Sequence, residues 1–231
     1  MSAKENSFSK EKIINYLTDF ISAERQNRLS QVLNQRTRYL TVVIEDLFQT
    51  QNISAVLRTC ECFGIQDVHI IEKDYDFQIH KAISMGANKW LTLYNYKNEP
   101  NNTVKCIQQL KNKGYWIIAT VPTPDSVSIY DIPLDRPSAF CFGTELTGLS
   151  EECIAMADQR VTIPMHGFTE SFNISNSVAI ILAHCVKKMK AEISNWELSQ
   201  DEKNDLYFEW LQKSIKESDF IIRDYKKRHN L

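Results

Sequence analysis

The most constraining feature of the sequence is an alternation of short apolar runs with helix-like stretches that stop at glycine. Leu40-Thr-Val-Val-Ile44, Val68-His-Ile-Ile71, Trp90-Leu-Thr-Leu-Tyr94, Trp116-Ile-Ile-Ala119, Ala139-Phe-Cys-Phe142 and Val161-Thr-Ile163 are rich in β-branched or aromatic residues. Several are apolar at consecutive positions, as in strands covered on both faces of a parallel sheet. Between them, Asn52 to Phe63 closes at Gly64, Gln78 to Met85 at Gly86 and Thr103 to Lys113 at Gly114. Strand, helix and glycine in repeated succession predict an α/β domain with right-handed crossovers, spanning residues 39–191.

Both flanks read as helical and polar. Ile13, Ile14, Leu17, Phe20 and Ile21 make a narrow apolar face, and a second helix from Ala23 to Gln35 carries Leu29, Val32 and Leu33. Arg25, Arg28, Arg36 and Arg38 fall on or beside it, in a stretch with no acidic residue from Arg25 through Ile44. The plain reading of such a cluster is a solvated helix face. The tail from Ser194 is again helical and ends in a second basic patch, Arg223 to His229, that includes Lys226, Lys227 and Arg228. The expected organisation is an N-terminal helical extension (1–38), the α/β domain (39–191) and a C-terminal helical extension (192–231).

Composition narrows the function. The chain has 231 residues with 27 basic and 29 acidic side chains, a net charge of −2, so a uniformly basic nucleic-acid binder is excluded but a local basic stripe is not. No apolar run approaches the roughly 18–20 residues of a membrane span, and the start, MSAKENSFSK, does not read as a secretory signal. The six cysteines form no CxxC pair and read as reduced, mostly buried thiols of a cytoplasmic protein. The six glycines build no GxGxxG, GxxxxGK[ST] or GxSxG, and the five histidines make no zinc spacing, so no metal site is expected. A nucleotide-like cofactor would have to be held by another device.

Three segments stand out. In Asn52-Ile-Ser-Ala-Val-Leu-Arg58-Thr, Asn52 lies at a helix start where it could cap, and Arg58 is either an exposed charge or a buried cation with an assigned anion. Phe142-Gly143-Thr-Glu145-Leu-Thr-Gly148-Leu-Ser150 runs out of a strand into a turn with one carboxylate, and Ser150 is placed to cap the next helix. Val161 to Ser175 holds a polar loop between a buried strand and a buried helix, a natural pocket wall.

In this order the segments resemble the three motifs of the SPOUT superfamily, TrmH-type branch, of RNA 2′-O-methyltransferases: Asn52…Ala55…Arg58-Thr59, Gly143…Glu145…Gly148-Leu149-Ser150, and Ile163-Pro164-Met165…Gly167…Ser171-Phe172-Asn173…Ser175. The lead-in Glu24-Arg25…Arg28…Leu40 to Glu45 is similar to the tRNA enzymes of that branch that methylate the D-loop guanosine at position 18. The chain departs from the pattern at Thr147, Phe172 and Asn176. The resemblance implies a parallel-sheet SPOUT fold with a C-terminal deep trefoil knot and a homodimer. It implies S-adenosyl-L-methionine as cofactor, against a wall of Thr120, Val121, Gly143, Ile163, Met165 and Phe172. By the same resemblance Arg58, Asn52, Glu145, Ser171 and Asn173 form the catalytic set, with Asn52 positioning Arg58 or the ribose and Glu145 holding an arginine or loop backbone. The arginine stripe and Lys226, Lys227 and Arg228 would contact tRNA phosphates. The alternatives are ribosomal RNA or another tRNA nucleotide as substrate, or a non-catalytic RNA-binding protein on the same scaffold.

Overall fold

A computed structural model describes residues 3–73 and 80–229, which fall into two compact units, 37–197 and a helical unit built from residues up to Arg36 together with those from Leu198 onward. The two flanks, expected as separate extensions, thus share one unit.

The larger unit is a seven-stranded, all-parallel sheet in the order β3-β2-β1-β6-β4-β7-β5. The strands are β1 (Leu40–Glu45), β2 (Asp67–Ile71), β3 (Thr92–Tyr96), β4 (Trp116–Thr120), β5 (Val127–Ser128), β6 (Ser138–Phe142) and β7 (Gln159–Thr162). The helices are α3 (Thr50–Cys62), α4 (Lys81–Ser84), α5 (Asn102–Asn112), α6 (Glu151–Met156) and α7 (Ile174–Glu192). Of the helix expected from Gln78 to Met85, Gln78 and Ile79 lie outside the described residues.

Every residue of β1, β2 and β6 is buried, which accounts for their near-continuous apolar sequences. Alternation sorts their side chains to two faces. Val42, Ile44, Ile118, Phe140 and Phe142 join Ile53, Val56 and Leu57 of α3 and Val178, Ile181 and Leu182 of α7 in one core. Val43, Ile117, Ala119, Ala139 and Cys141 join Cys106, Ile107 and Leu110 of α5 and Cys153 of α6 in the other. Strand β1 is followed outward by β2 and β3, whereas β6 and β4 lie on its other side. This reversal opens a crevice at the carboxyl ends of the strands, where loops meet. Past α7 the chain folds back until Thr37 Oγ1 donates to the Trp196 carbonyl at 2.5 Å, which carries this unit's limits beyond the expected 39–191.

The helical unit contains α1 (Ala3–Thr18), α2 (Ala23–Leu33), α8 (Gln200–Ser214) and α9 (Ser218–His229). Leu17, Leu29, Leu33, Leu206, Trp210, Leu211 and Ile222 are buried in it. Ser22 caps α2, and Ser199 with Glu202 forms a capping box on α8. Tyr16 of α1 stacks on Tyr225 of α9 at 4.5 Å. No helix among the described residues is long and apolar enough to cross a membrane.

Candidate active site

The second motif is a closed turn at the end of β6. Thr144 and Gly148 pair through N–H···O bonds of 3.0 and 3.1 Å, leaving Glu145, Leu146 and Thr147 at the tip. Gly148 has φ +72°, which disfavours any residue with a Cβ. Gly143 is required by closeness instead: a Cβ there would lie 2.1 Å from the Gly148 carbonyl carbon and 2.3 Å from the Leu149 nitrogen. Ser150 then caps α6, accepting from the Cys153 N–H at 3.2 Å.

A residue the sequence reading passed over locks this loop to the sheet. Glu45, at the carboxyl end of β1, is 2% exposed. Its Oε2 accepts from the Ser150 N–H at 2.8 Å, and its Oε1 accepts from Ser150 Oγ at 2.7 Å and Thr103 Oγ1 at 2.5 Å. A buried carboxylate persists only with such donors. A charged residue ending an otherwise apolar central strand was the available signal.

The three motifs meet at Glu145. Asn52 Nδ2 and Asn173 Nδ2 both donate to Glu145 Oε1, the latter at 3.2 Å, and Asn173 Nδ2 is also 3.2 Å from Asn52 Oδ1. Asn173 is the N-cap of α7, its Oδ1 accepting from the Ser175 N–H at 2.9 Å. Two expectations are corrected here. Asn52 lies inside α3, whose N-cap is Gln49, so it does not cap the helix; its amide donates to Gln49 Oε1 at 2.9 Å and to Glu145, and among the described residues it makes no bond to Arg58. Glu145 holds two side-chain amides, and among the described residues it makes no bond to an arginine or to loop backbone. Its Oε2 carries no hydrogen bond among the described residues, leaving one acceptor open.

Beside this cluster lies a cavity of about 440 Å³. Thr120, Val121, Gly143, Ile163, Met165 and Phe172, the six residues expected at a cofactor wall, all line it, as do Glu145 and Ser171. Among the described lining residues none is basic, and Glu145 and Glu170 are the charged ones. The remaining wall is largely apolar or hydroxyl-bearing. Cys141, hydrogen-bonded to Cys153 and fully buried behind the loop, has its thiol pushed well above the ordinary value, and burial does the same to Cys106. Neither offers a thiolate nucleophile. Among the described residues no cluster of His, Cys, Asp and Glu could hold a metal ion.

The basic residues are dispersed. Arg58 is exposed, makes no hydrogen bond or ion pair among the described residues, and does not line the cavity. Six residues beyond Asn52 on α3, it stands about 9 Å further along the helix axis. Arg36, expected on an RNA-binding stripe, is 0% exposed, its guanidinium lying 5.3 Å from the Trp210 ring centroid. It therefore cannot reach a phosphate in this fold. Arg38 is half-buried, with Nε 3.1 Å from both carboxylate oxygens of Asp67. Arg28, Lys226, Lys227 and Arg228 are exposed and Arg25 half-buried. Arg228 pairs with Asp224 on the same helix.

Known proteins share this architecture. The model of the SpoU rRNA Methylase family matches residues 39–183. The tRNA (guanosine(18)-2′-O)-methyltransferase of Borreliella burgdorferi is 40% identical over 210 residues, covering 91% of this chain and 94% of that protein. The crystal structure of the A. aeolicus TrmH/SpoU tRNA modifying enzyme aligns with a TM-score of 0.75 at 27% identity, covering 84% of this chain and 98% of that one. The fold is also that of the SpoU methyltransferase AviRb from Streptomyces viridochromogenes, solved in complex with AdoMet (TM-score 0.60, 21% identity, 70% of this chain and 64% of that one).

Proposed function

The chain belongs to the SpoU rRNA Methylase family, and from that premise we propose that it methylates the ribose 2′-hydroxyl of guanosine 18 in tRNA. The methyl donor is S-adenosyl-L-methionine. The observation that carries this reading is the convergence of Asn52, Glu145 and Asn173 beside a cavity whose described lining includes no basic side chain. Two carboxylates and no basic side chain in that lining favour a cofactor carrying positive charge. It also explains the missing glycine-rich phosphate loop, since there is no pyrophosphate to cradle. The substrate comes from the Borreliella relative, which matches nearly end to end.

When bound, S-adenosylmethionine supplies an electrophilic methyl group on a positively charged sulfur. The residues of this chain do the rest. Thr120, Val121, Ile163, Met165 and Phe172 bind and exclude water, and Gly143 lets the loop close against them. As the ribose oxygen took up the methyl group from the sulfur, its proton would pass to Glu145 Oε2 and from there to bulk solvent. Glu145, oriented by two amides, offers Oε2 to accept the hydrogen bond of the 2′-hydroxyl. Ser171 donates to substrate. Arginine side chains stay protonated in proteins, so Arg58, which does not line the cavity of its own chain, acts as a charge brought to the site of the partner chain in the dimer proposed below, where it grips the neighbouring phosphate and steadies negative charge building on the oxygen.

The proposal includes the trefoil knot in the C-terminal part of the α/β unit, a homodimer in which each site is completed by the partner chain, and a cytoplasmic location. In support of the dimer, Asn176, Ala183 and Lys187 are exposed along α7, with Ala179 and Ile180 half-buried, and Tyr130, 50% exposed, packs edge-on against His184. Exposed Arg28, Lys226, Lys227 and Arg228, with Arg25, are the proposed phosphate contacts. Transfer of labelled methyl to unmodified tRNA, with ribosomal RNA in parallel and the product nucleotide mapped, tests the reading. A 2′-O-methyl at guanosine 18 is expected; label confined to ribosomal RNA, or to another tRNA nucleotide, would refute it.

A further inference from the structure

The two carboxylates of the cavity are in opposite states. Glu145 accepts from Asn52 and Asn173. Glu170, on the loop between β7 and α7, lines the same cavity, is exposed, and makes no hydrogen bond or ion pair among the described residues. Among the described lining residues it is thus the one charge without a protein partner. A bare carboxylate beside the entry of a polyanion raises the cost of RNA binding. Solvated on its outer side, it costs little where it stands, and toward the cavity it favours a bound cation.

The reading proposed above, on which this inference rests, leaves the cofactor as the source of that cation. Its amino-acid end is an ammonium and a carboxylate, unchanged by the reaction. Its sulfur carries a positive charge before methyl transfer and none after. Glu170 lies three residues before Asn173, which belongs to the cluster assigned to the reacting ribose, so the chain can separate the two by no more than about 10 Å. That keeps Glu170 within reach of a charge at the methyl-transfer end of the cavity, and the sulfur charge is the one that changes. We propose that Glu170 is a specificity-determining residue that favours the charged methyl donor over its neutral thioether product, S-adenosylhomocysteine, and so promotes product release. A single charge acting over several ångströms in a partly exposed cavity alters relative affinity by roughly threefold to tenfold.

Titration calorimetry on the full chain tests this without turnover. Affinities for S-adenosylmethionine and S-adenosylhomocysteine are measured for the wild type and for Glu170→Gln, which keeps the shape of an exposed side chain and removes its charge. The preference for the methylated ligand should fall by roughly threefold to tenfold in the variant, chiefly because that ligand binds more weakly. Sinefungin, with a protonated amine near the sulfur position, should weaken in the same way. An unchanged preference overturns the proposal, whether both ligands weaken equally, as a contact to the shared ammonium would produce, or neither does. If the wild type binds none of the three, the cofactor assignment itself fails, a different outcome from an unchanged ratio.

Discussion

Asn52, Glu145 and Asn173 come from three segments as much as 121 residues apart and converge within hydrogen-bond distance. Arg25, Arg28 and Arg36 lie within twelve positions of one another and diverge: Arg25 is half-buried, Arg28 faces solvent, and Arg36 is enclosed against Trp210. At the loop end of the sheet, polar side chains are ordered by strand ends and helix caps that a parallel fold brings to one rim. In the helical unit, a local run of like charges is sorted by helix faces and by where α2 stops. Residue types at matched spacing in several segments therefore carry more information about a site than charge density in one.

The comparison breaks first at Arg58. Its replacement by alanine should lower methyl transfer by on the order of 100-fold or more, with S-adenosylmethionine affinity and thermal stability nearly unchanged, because the side chain touches neither core nor cavity wall. Near-normal turnover would remove it from the mechanism. Gly143→Ala attacks the other component of the rim. With backbone atoms about 2 Å from the new Cβ, the turn has to open, costing about 3 kcal/mol in chemical denaturation and most of the cofactor affinity. Retention of both would show that the turn is not closed as described.

Much of the rim was legible in the sequence. Short β-branched runs marked β1, β2, β4 and β6 to within a residue or two, and Ser150 was placed correctly as a cap. The third strand, expected at Trp90–Tyr94, lies at Thr92–Tyr96, since Trp90 closes the short 3₁₀ turn before it. Strand β5 went unseen because two residues, Val127 and Ser128, carry no periodicity. Nothing local says that β6 inserts between β1 and β4, because parallel register is set by long crossovers and not by neighbours in sequence. Nor does sequence separate Arg36 from Arg28; burial against Trp210 depends on α8, which lies far along the chain.

The helical unit yields smaller effects. Arg36→Ala should cost about 2 kcal/mol of stability through lost packing, leaving the salt dependence of tRNA affinity as it was. Arg28→Ala should do the reverse, sparing stability and reducing the slope of log affinity against log salt by about 0.7–0.9. Equal behaviour of the two would erase the distinction drawn between them.

His69 gives a baseline from a buried group outside the site. Burial, with Lys113 nearby, pushes its imidazole down to about 3, and its Nδ1 lies 3.1 Å from the Tyr96 hydroxyl. Below pH 6.5 the unfolded chain takes up a proton that the folded chain refuses until about pH 3. Stability contributed above 6.5 is therefore lost as pH falls through that window, at up to about 1.4 kcal/mol per pH unit. Denaturation across this range should show the slope, and His69→Gln should flatten it.

The cavity at the carboxyl ends of β4, β6 and β7 is the claim on which the rest depends. A crystal structure of the protein soaked with S-adenosylmethionine tests it most directly. The account predicts ligand density enclosed by Thr120, Gly143, Ile163 and Met165, beside the Asn52–Glu145–Asn173 cluster. Density elsewhere on the molecule, with this cavity holding only water, would contradict it.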